Sequence, residues 1–429
     1  MASVRLVGNH FFLRFMKRDF IFTIICVTKE VFVLRTSNRD DCLRLSGVGR
    51  NVPKKVIRCN CSVLCSVLRV ALPAVAAMNF AVSDAADISG KTSIGGYGEL
   101  HVNYTKPAVG TVAAPVLDFH RWILFVSHRW TEHWSFASEL ELEHNFVEGG
   151  KTTGELELEQ AYIQFNPRPE FLLQTGVLLP ATGLINDKHE PNLFLSVERP
   201  VYAKAIIPTT WFGNGIAARG LLAGAWQYSA LLLEGLDDRK FGTKGIRGGR
   251  QKGFKASLET VLVNSAVDYV AIPGLNIGTS AAINVLAHDP TNTHPYASTI
   301  LWELHAQYRK SGLWTQLEFG STRYSRNGDL AGSDTLAALE NAMGYYVDLG
   351  YDVARLWKAQ ELQLYPFIRV SHHTIDGTIG TDGTAAKYLL GLGAFPIENV
   401  TFKADYAVAT KKGVTGTNGM LNIGAGYAF

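Results

Sequence analysis

The stretch SELELEHNFVEGGKTTGELELEQ, residues 138–160, repeats the pair Glu-Leu on both sides of two glycines. Successive side chains of a β-strand point to opposite faces, so each arm has one acidic face and one leucine face when it forms a strand. Paired as a hairpin, the two arms bring six carboxylates to one face, namely Glu139, Glu141, Glu143, Glu155, Glu157 and Glu159. Such a wall is suited to lipid on its leucine side and water on its carboxylate side.

The same alternation recurs along the rest of the chain. In HRWILFVSHRW (120–130), tryptophan, leucine and valine alternate with Arg121, Ser127 and Arg129, so both arginines are predicted to share the face of the glutamates. The predicted strands are 92–105, 117–129, 134–147, 154–166, 171–179, 211–222, 225–236, 256–270, 275–286, 301–310, 313–324, 343–351, 362–372, 387–396, 399–409 and 419–429. This even number predicts an all-β, transmembrane antiparallel β-barrel of about 16 strands over 87–429. Counts of 14 or 18 remain alternatives, because the strands between 236 and 275 are poorly delimited.

Charge divides the chain into two parts. Residues 1–86 contain 13 Lys and Arg against 5 Asp and Glu, a net charge of +8, whereas residues 87–429 contain 28 against 33, a net charge of −5. The basic part is an appendix to the barrel, so the composition gives no reason to expect a nucleic-acid partner. All five cysteines lie before residue 66, which agrees with a barrel that crosses an oxidising periplasm unfolded.

The basic appendix contains a predicted secretory signal peptide, residues 51–86. Basic residues precede the apolar run VALPAVAAMNFAV (70–82), and Ser83-Asp84-Ala85 forms a small-residue cleavage site. Cleavage after Ala76 is the alternative. Residues 1–50 are interpreted as a non-structural N-terminal extension from an early start codon, with a disordered leader as the alternative.

The last predicted strand, MLNIGAGYAF, ends on an aromatic residue. Its alternate positions are Leu421, Ile423, Ala425, Tyr427 and Phe429. This ending resembles the signal by which the barrel-assembly machinery recognises outer-membrane proteins, which predicts that machinery and outer-membrane lipid as partners. A soluble sheet that happens to end on phenylalanine is the alternative.

A long segment without strand periodicity, residues 180–210, separates the fifth and sixth predicted strands. Long structureless segments inside a compact fold are usually functional, and in a wide barrel this one is predicted to fold into the lumen and narrow it. An external surface loop is the alternative. The predicted pore-lining residues outside the hairpin are Arg121, Arg129, Lys188, Glu198, Arg199, Lys204 and Arg219.

Several stretches resemble the outer-membrane porins, and more narrowly the phosphate-selective porins of the O and P type. They are ELEHNF, GELELEQAYIQF, LLQTGVLLPATGLINDKHEP and VERPVYAKAIIPTTWFGNGIAARG, together with the aromatic-ended last strand. The resemblance implies a homotrimer of sixteen-stranded barrels that passes small hydrophilic solutes or ions by diffusion. Phosphate-selective members have an arginine ladder and a lysine cluster along the pore, whereas this barrel has the glutamate-rich hairpin. The resemblance therefore leaves anion or phosphate selectivity open.

Other functions leave weaker signals. The glutamates form a regular ladder in which no pair is singled out for acid/base catalysis, and no G-x-S-x-G element occurs. The adjacent pair His372-His373 points to opposite faces of a strand, so no metal site and no cofactor are predicted. An outer-membrane barrel enzyme and a secreted all-β binding protein remain the alternatives to a porin. For the glutamates, a solvated vestibule is the alternative to a constriction where they face a basic loop, and a β-bulge is predicted near Gln160-Ala161.

Overall fold

The computed structural model describes residues 92–429, apart from 150–152, 243, 290–292, 328–338, 358, 360 and 378–384, and the backbone of five strands before residue 48. The chain divides into two compact units, Met1–Met78 and Asn79–Phe429. No helix among the described residues is long and apolar enough to cross a membrane.

The first unit contains one antiparallel sheet with its strands in chain order. Its strands are β1 (Ala2–Val7), β2 (His10–Lys17), β3 (Phe20–Val27), β4 (Glu30–Ser37) and β5 (Asp40–Gly47). The interpretation of residues 1–50 as a non-structural N-terminal extension stays a prediction. The predicted signal peptide, 51–86, lies outside the described residues.

The second unit is a closed antiparallel barrel of sixteen strands. They are β6 (Thr92–Lys106), β7 (Val116–Arg129), β8 (Trp134–Glu143), β9 (Leu156–Arg168), β10 (Phe171–Leu178), β11 (Gly213–Leu222), β12 (Trp226–Glu234), β13 (Thr260–Tyr269), β14 (Leu275–Leu286), β15 (Tyr296–Lys310), β16 (Leu313–Arg326), β17 (Leu339–Tyr351), β18 (Gln363–Gly377), β19 (Ala385–Ile397), β20 (Val400–Lys411) and β21 (Asn418–Ala428). Every strand pairs with its neighbours in the chain, and β21 pairs with β6 to close the barrel. The predicted fold class is confirmed.

The two ends of the barrel differ in the length of their connections. Short turns such as 169–170, 311–312 and 398–399 lie at the end that also holds residue 92 and Phe429. Longer loops lie at the other end, where the third loop spans 179–212 and the fourth loop spans 235–259. In outer-membrane barrels the short turns face the periplasm and the long loops face outward.

The two faces of the wall differ in polarity as the sequence predicts. On β15, Trp302 and Leu304 are 41% and 48% exposed on the outer face, whereas Glu303 and His305 are buried inside. Strand β20 repeats this pattern, with Phe402 and Tyr406 outside and Lys403 inside. These outward apolar side chains stay exposed on the outside of the barrel, so lipid is the environment that removes them from water.

A β-bulge interrupts the alternation on β9, as predicted, one residue earlier than expected. Glu139 pairs with Gln160 and Leu140 pairs with Leu158, so Glu159 is the additional residue. The extra residue lets Glu159 and Gln160 both face inward. The glutamates before the bulge and the glutamine after it therefore share the inner face.

The C-terminal residue completes the closure. Phe429 N–H donates to the carbonyl of Gly96 at 2.8 Å, and Gly96 N–H donates back to Phe429 at 2.9 Å. The last-strand residues of the predicted assembly signal all have exposed side chains on the outer face, namely Leu421, Ile423, Tyr427 and Phe429.

An apolar cluster joins the third and fourth loops to the inner face of the wall. The third loop contributes Ile185, Tyr202, Ile206 and Trp211, and the fourth loop contributes Ile246. Wall residues of the same cluster include Leu262, Leu301, Tyr324 and Tyr346. Burial of each such side chain contributes about 1.5–3 kcal/mol, so this cluster anchors both loops against one side of the wall.

The lipid-facing assignment is tested by Leu304→Arg, in the middle of β15. We expect this change to lower the free energy of unfolding in a bilayer by about 2–4 kcal/mol, because the guanidinium loses its hydration there. Urea unfolding in lipid vesicles measures the loss. Val109→Arg is the control, since Val109 is 73% exposed in the loop between β6 and β7. Equal effects of the two changes would contradict the assignment.

Candidate functional site

Six glutamates, called here the acidic strip, line the inner face of the wall beside the third loop, namely Glu139, Glu141, Glu143, Glu155, Glu157 and Glu159. A histidine of that loop lies between two of them: His189 Nε2 is 3.3 Å from Glu159 and 3.6 Å from Glu139. All three side chains are buried. On the wall, Gln160 also donates to Glu139 at 2.5 Å. Glu139 and Glu159 are therefore paired with the third loop rather than open to water.

The end of the acidic strip nearest the long loops, Glu155 and Glu157, contacts the fourth loop. Lys252 donates to Glu155 at 2.5 Å and also to Glu157. Arg247 and Arg250 lie in the same loop, where Arg247 donates to the carbonyl of Thr209 and Arg250 to that of Thr210. The glutamates of this end thus face the basic stretch IRGGRQKG, residues 246–253.

Arg121 connects the acidic strip to β6. Its guanidinium forms a buried ion pair with Glu99, lies 4.0 Å from Glu141, and donates to the carbonyl of His189 at 2.9 Å. A buried charge needs both an opposite charge and hydrogen-bond partners to offset lost hydration. Glu99 and the third-loop carbonyl supply them here.

Other basic side chains of the wall also donate to carbonyls of the third loop. Lys403 donates to the carbonyls of Pro191, Phe194 and Ser196, the last two at 2.7 and 3.0 Å. Arg369 forms a two-pronged pair with Asp348, with both distances 2.6 Å, and reaches the carbonyl of Glu198 at 3.3 Å. These donors offset the cost of burying an irregular backbone against the inner face of the wall.

The predicted pore-lining residues fall into two groups. Arg121 lies beside Glu141 of the acidic strip, and Glu198 is hydrogen-bonded to His101 and Asn103 on β6. Arg219 instead donates to the carbonyl of Leu179 at 2.8 Å, so it holds the start of the third loop. Lys188, Lys204 and Arg129 are exposed and Arg199 is half-buried, and within the described residues no ion pair joins these four to the acidic strip.

Sequence reasoning identified Arg121 but missed two other cations that meet the glutamates, His189 and Lys252. His189 lies in a stretch of mixed polar residues, and nothing in its spacing distinguishes it from the neighbouring Lys188. The cluster of Arg247, Arg250 and Lys252 is visible in the sequence as a basic, glycine-containing loop. Its contact with the acidic strip depends on the fourth loop folding inward, which strand periodicity does not predict.

The surroundings of His189 favour its charged form. Burial alone would lower the pKa of His189, but hydrogen bonds and charge from Glu139 and Glu159 outweigh burial and raise the pKa well above its ordinary value. In the same loop, burial opposes ionisation of Glu198, yet His101 and Asn103 hold its pKa at about 2. The third loop therefore presents a cation to the acidic strip and an anion to β6.

The pairing of His189 predicts a pH-dependent stability. His189→Gln leaves Glu139 and Glu159 without their cation, so we expect a loss of about 3 kcal/mol in the free energy of unfolding at pH 6. A histidine whose folded pKa is raised stabilises fully below its unfolded pKa of about 6.5 and loses that contribution as the pH rises through the folded pKa. The difference between wild type and variant should therefore shrink from pH 6 upward in urea titrations.

The control is His133→Gln, because His133 lies exposed in the turn between β7 and β8. A difference between wild type and His189→Gln that stays constant or grows with pH would contradict the charged pairing.

Comparison with known proteins agrees with this fold. No family model matches the chain. A relative that is 28% identical over 333 residues, covering 73% of this chain and 74% of its own length, is an uncharacterized protein of Aquifex aeolicus (strain VF5).

Similar solved structures are outer-membrane channels. Salmonella typhi OmpF in complex with daunomycin has a TM-score of 0.54 at 12% identity, covering 79% of this chain and 97% of that one. The outer membrane channel DcaP of Acinetobacter baumannii has a TM-score of 0.52 at 11% identity, covering 80% and 99%. The anion-selective porin of Comamonas acidovorans has a TM-score of 0.52 at 12% identity, covering 79% and 99%.

These likenesses establish the porin fold. Together with the apolar outer face, the fold agrees with the predicted location in the bacterial outer membrane. The narrower resemblance to phosphate-selective porins stays a prediction.

Proposed function

We propose that this protein is a passive diffusion channel for small hydrophilic solutes or ions in the bacterial outer membrane. The observation that supports this most directly is the closed sixteen-stranded barrel, apolar outside and rich in ionisable side chains inside. A water-filled lumen needs no catalytic group to pass small solutes, and its charged rows set which ions enter.

The third loop is proposed to narrow the lumen. Its contacts reach inward-facing residues on widely separated strands, including Arg121 on β7, Asn264 on β13 and Lys403 on β20. A loop that is hydrogen-bonded to opposite parts of the wall crosses the barrel interior. Its exposed lysines, Lys188 and Lys204, are then available to passing solutes.

The acidic strip is proposed to influence ion preference through its accessible members. Glu139, Glu141 and Glu159 are buried beside His189 or Arg121. The side chains of Glu143 and Glu155 instead keep about 37% and 54% of their accessible surface. Charge acts on a passing ion most strongly where water and the side chain meet. Glu143 and Glu155 are therefore the members that a solute would sense.

The expected partners follow from the same function. We propose that the barrel forms a homotrimer in outer-membrane lipid, as the porin resemblance implies, and that the barrel-assembly machinery inserts it through the last strand. An anion or phosphate cargo is the finer form of this proposal, for which the accessible glutamates provide no support.

Channel activity and the narrowing role of the third loop can be tested together in planar bilayers. The variant is Lys204→Cys in a chain whose five native cysteines are changed to serine. We expect discrete conductance steps that become smaller after reaction with a bulky methanethiosulfonate, because the adduct occupies the lumen. Val109→Cys, in the loop between β6 and β7, is the matched control and should keep its conductance.

Absence of any conductance steps would contradict the porin function. Steps that respond equally to the reagent in both variants would contradict the narrowing role of the third loop.

Ion preference is tested by the double change Glu143→Gln and Glu155→Gln. We expect the reversal potential in asymmetric KCl to shift toward anions, because two accessible negative charges leave the lumen. Glu132→Gln, in the exposed turn between β7 and β8, is the control and should cause no shift. An unchanged reversal potential in the double variant would favour a solvated vestibule that does not set ion preference.

A further inference from the structure

Three histidines that are far apart in the sequence meet at the long-loop end of the lumen. His101 belongs to β6, His120 to β7, and His144 directly follows β8. The ring centroids of His101 and His120 are 4.6 Å apart in a stacked arrangement, and those of His120 and His144 are 5.3 Å apart. The cluster shares no residue with the acidic strip and borders it at Glu143.

An irregularity on β7 brings a carboxylate into the cluster. Glu99 pairs with Arg121 and Leu100 pairs with Phe119, so His120 is an additional residue on β7. An extra residue changes which side chains share a face. Asp118, which pairs with His101, therefore lies on the inner face together with His120.

The donor atoms have the spacing of metal ligands. Asp118 Oδ2 is 3.1 Å from His120 Nδ1 and 2.8 Å from His144 Nδ1, and the three ligand atoms lie within 4.8 Å of one another. Bonds of about 2.0–2.2 Å to a Zn²⁺ ion in tetrahedral to octahedral geometry separate neighbouring ligand atoms by roughly 3 Å.

Neighbouring groups would hold both imidazoles in orientation. His144 Nε2 is 3.8 Å from the carboxylate of Glu143, and the ring of His120 is stacked on His101. His101 is in turn bonded to Glu99 at 3.2 Å and to Glu198 at 3.1 Å. Metal-binding histidines generally have such partners, which fix the ring and increase its basicity.

The cluster is open to solvent on one side. The side chains of Asp118, His120 and His144 keep 22%, 28% and 46% of their accessible surface. Three protein ligands with an accessible fourth position describe a site that water or a solute completes, rather than a closed structural site.

We propose that Asp118, His120 and His144 bind a divalent transition-metal cation, such as Zn²⁺, at the outer mouth of the lumen. Two imidazole nitrogens and one carboxylate oxygen suit Zn²⁺, Cu²⁺ or Ni²⁺, whereas Mg²⁺ and Ca²⁺ prefer oxygen ligands alone. Binding does not depend on the proposed channel function. The placement of the bound ion in the path of passing solutes does rest on the proposed channel function.

Binding is tested by isothermal titration of ZnCl₂ into the purified, untagged full-length protein in detergent, with excess Mg²⁺ present. We expect one Zn²⁺ bound by the lumen cluster of each chain, and at least tenfold weaker binding in Asp118→Asn and His144→Ala. His133→Ala, an exposed histidine at the opposite end of the barrel, is the matched control and should keep the wild-type affinity. Absence of saturable binding, or equal affinity in all variants, would overturn the proposal.

Cobalt provides a measurement on the wild type alone. Co²⁺ bound by two imidazoles and a carboxylate should develop a visible absorption stronger than that of aqueous Co²⁺, and excess Zn²⁺ should remove it. A spectrum identical to that of free Co²⁺ would overturn the proposed ligand set.

Bilayer currents locate the site relative to the solute path. We expect micromolar Zn²⁺, added on the side of the long loops, to reduce the wild-type current and to leave that of His144→Ala unchanged. A current unaffected by Zn²⁺ in a protein that binds the ion would overturn its placement in the path. A protein that binds Zn²⁺ but has no conductance at all would contradict the channel function and leave the metal site intact.

Discussion

The need to pair every backbone N–H and C=O inside a lipid layer is the constraint on which this structure depends. Sixteen strands meet it by pairing with both neighbours, and β21 meets it by pairing with β6. Once the wall closes, each strand has one face in lipid and one in the lumen, so the period of two in the sequence becomes a difference between outside and inside. The apolar outer face and polar inner face both follow from that closure.

The same constraint explains what the basic residues of the inner wall do. The third loop is irregular backbone that contacts the inner face of the wall, and its buried carbonyls need donors. Lys403, Arg121 and Arg219 donate to those carbonyls, and Arg247 and Arg250 of the fourth loop do the same. From the sequence alone, some of these positive charges are assigned to ion selection, whereas in the structure they hold the loop. Fewer of them are therefore free to attract an anion.

The β-bulges connect local geometry to the composition of the lumen. One extra residue at Glu159 allows a glutamate and a glutamine to face inward together, and one extra residue at His120 brings a histidine beside Asp118. The first irregularity is predictable, because the alternation of glutamate and leucine breaks visibly near Gln160. The second irregularity is not predictable, since Asp118, Phe119 and His120 also fit the alternation of a regular strand.

The sequence by itself determined the sixteen strands, their inward and outward faces, the position of the long third loop and the closing last strand. These features follow from local periodicity, which lipid on one side and water on the other impose on every strand. Only the tertiary structure decided which charges meet: that His189 and Lys252 pair with glutamates of the acidic strip, and that His120 and His144 meet at Asp118. Those contacts depend on how two irregular loops and the strand irregularities pack against the wall, and loop backbones have no repeating pattern that predicts their partners.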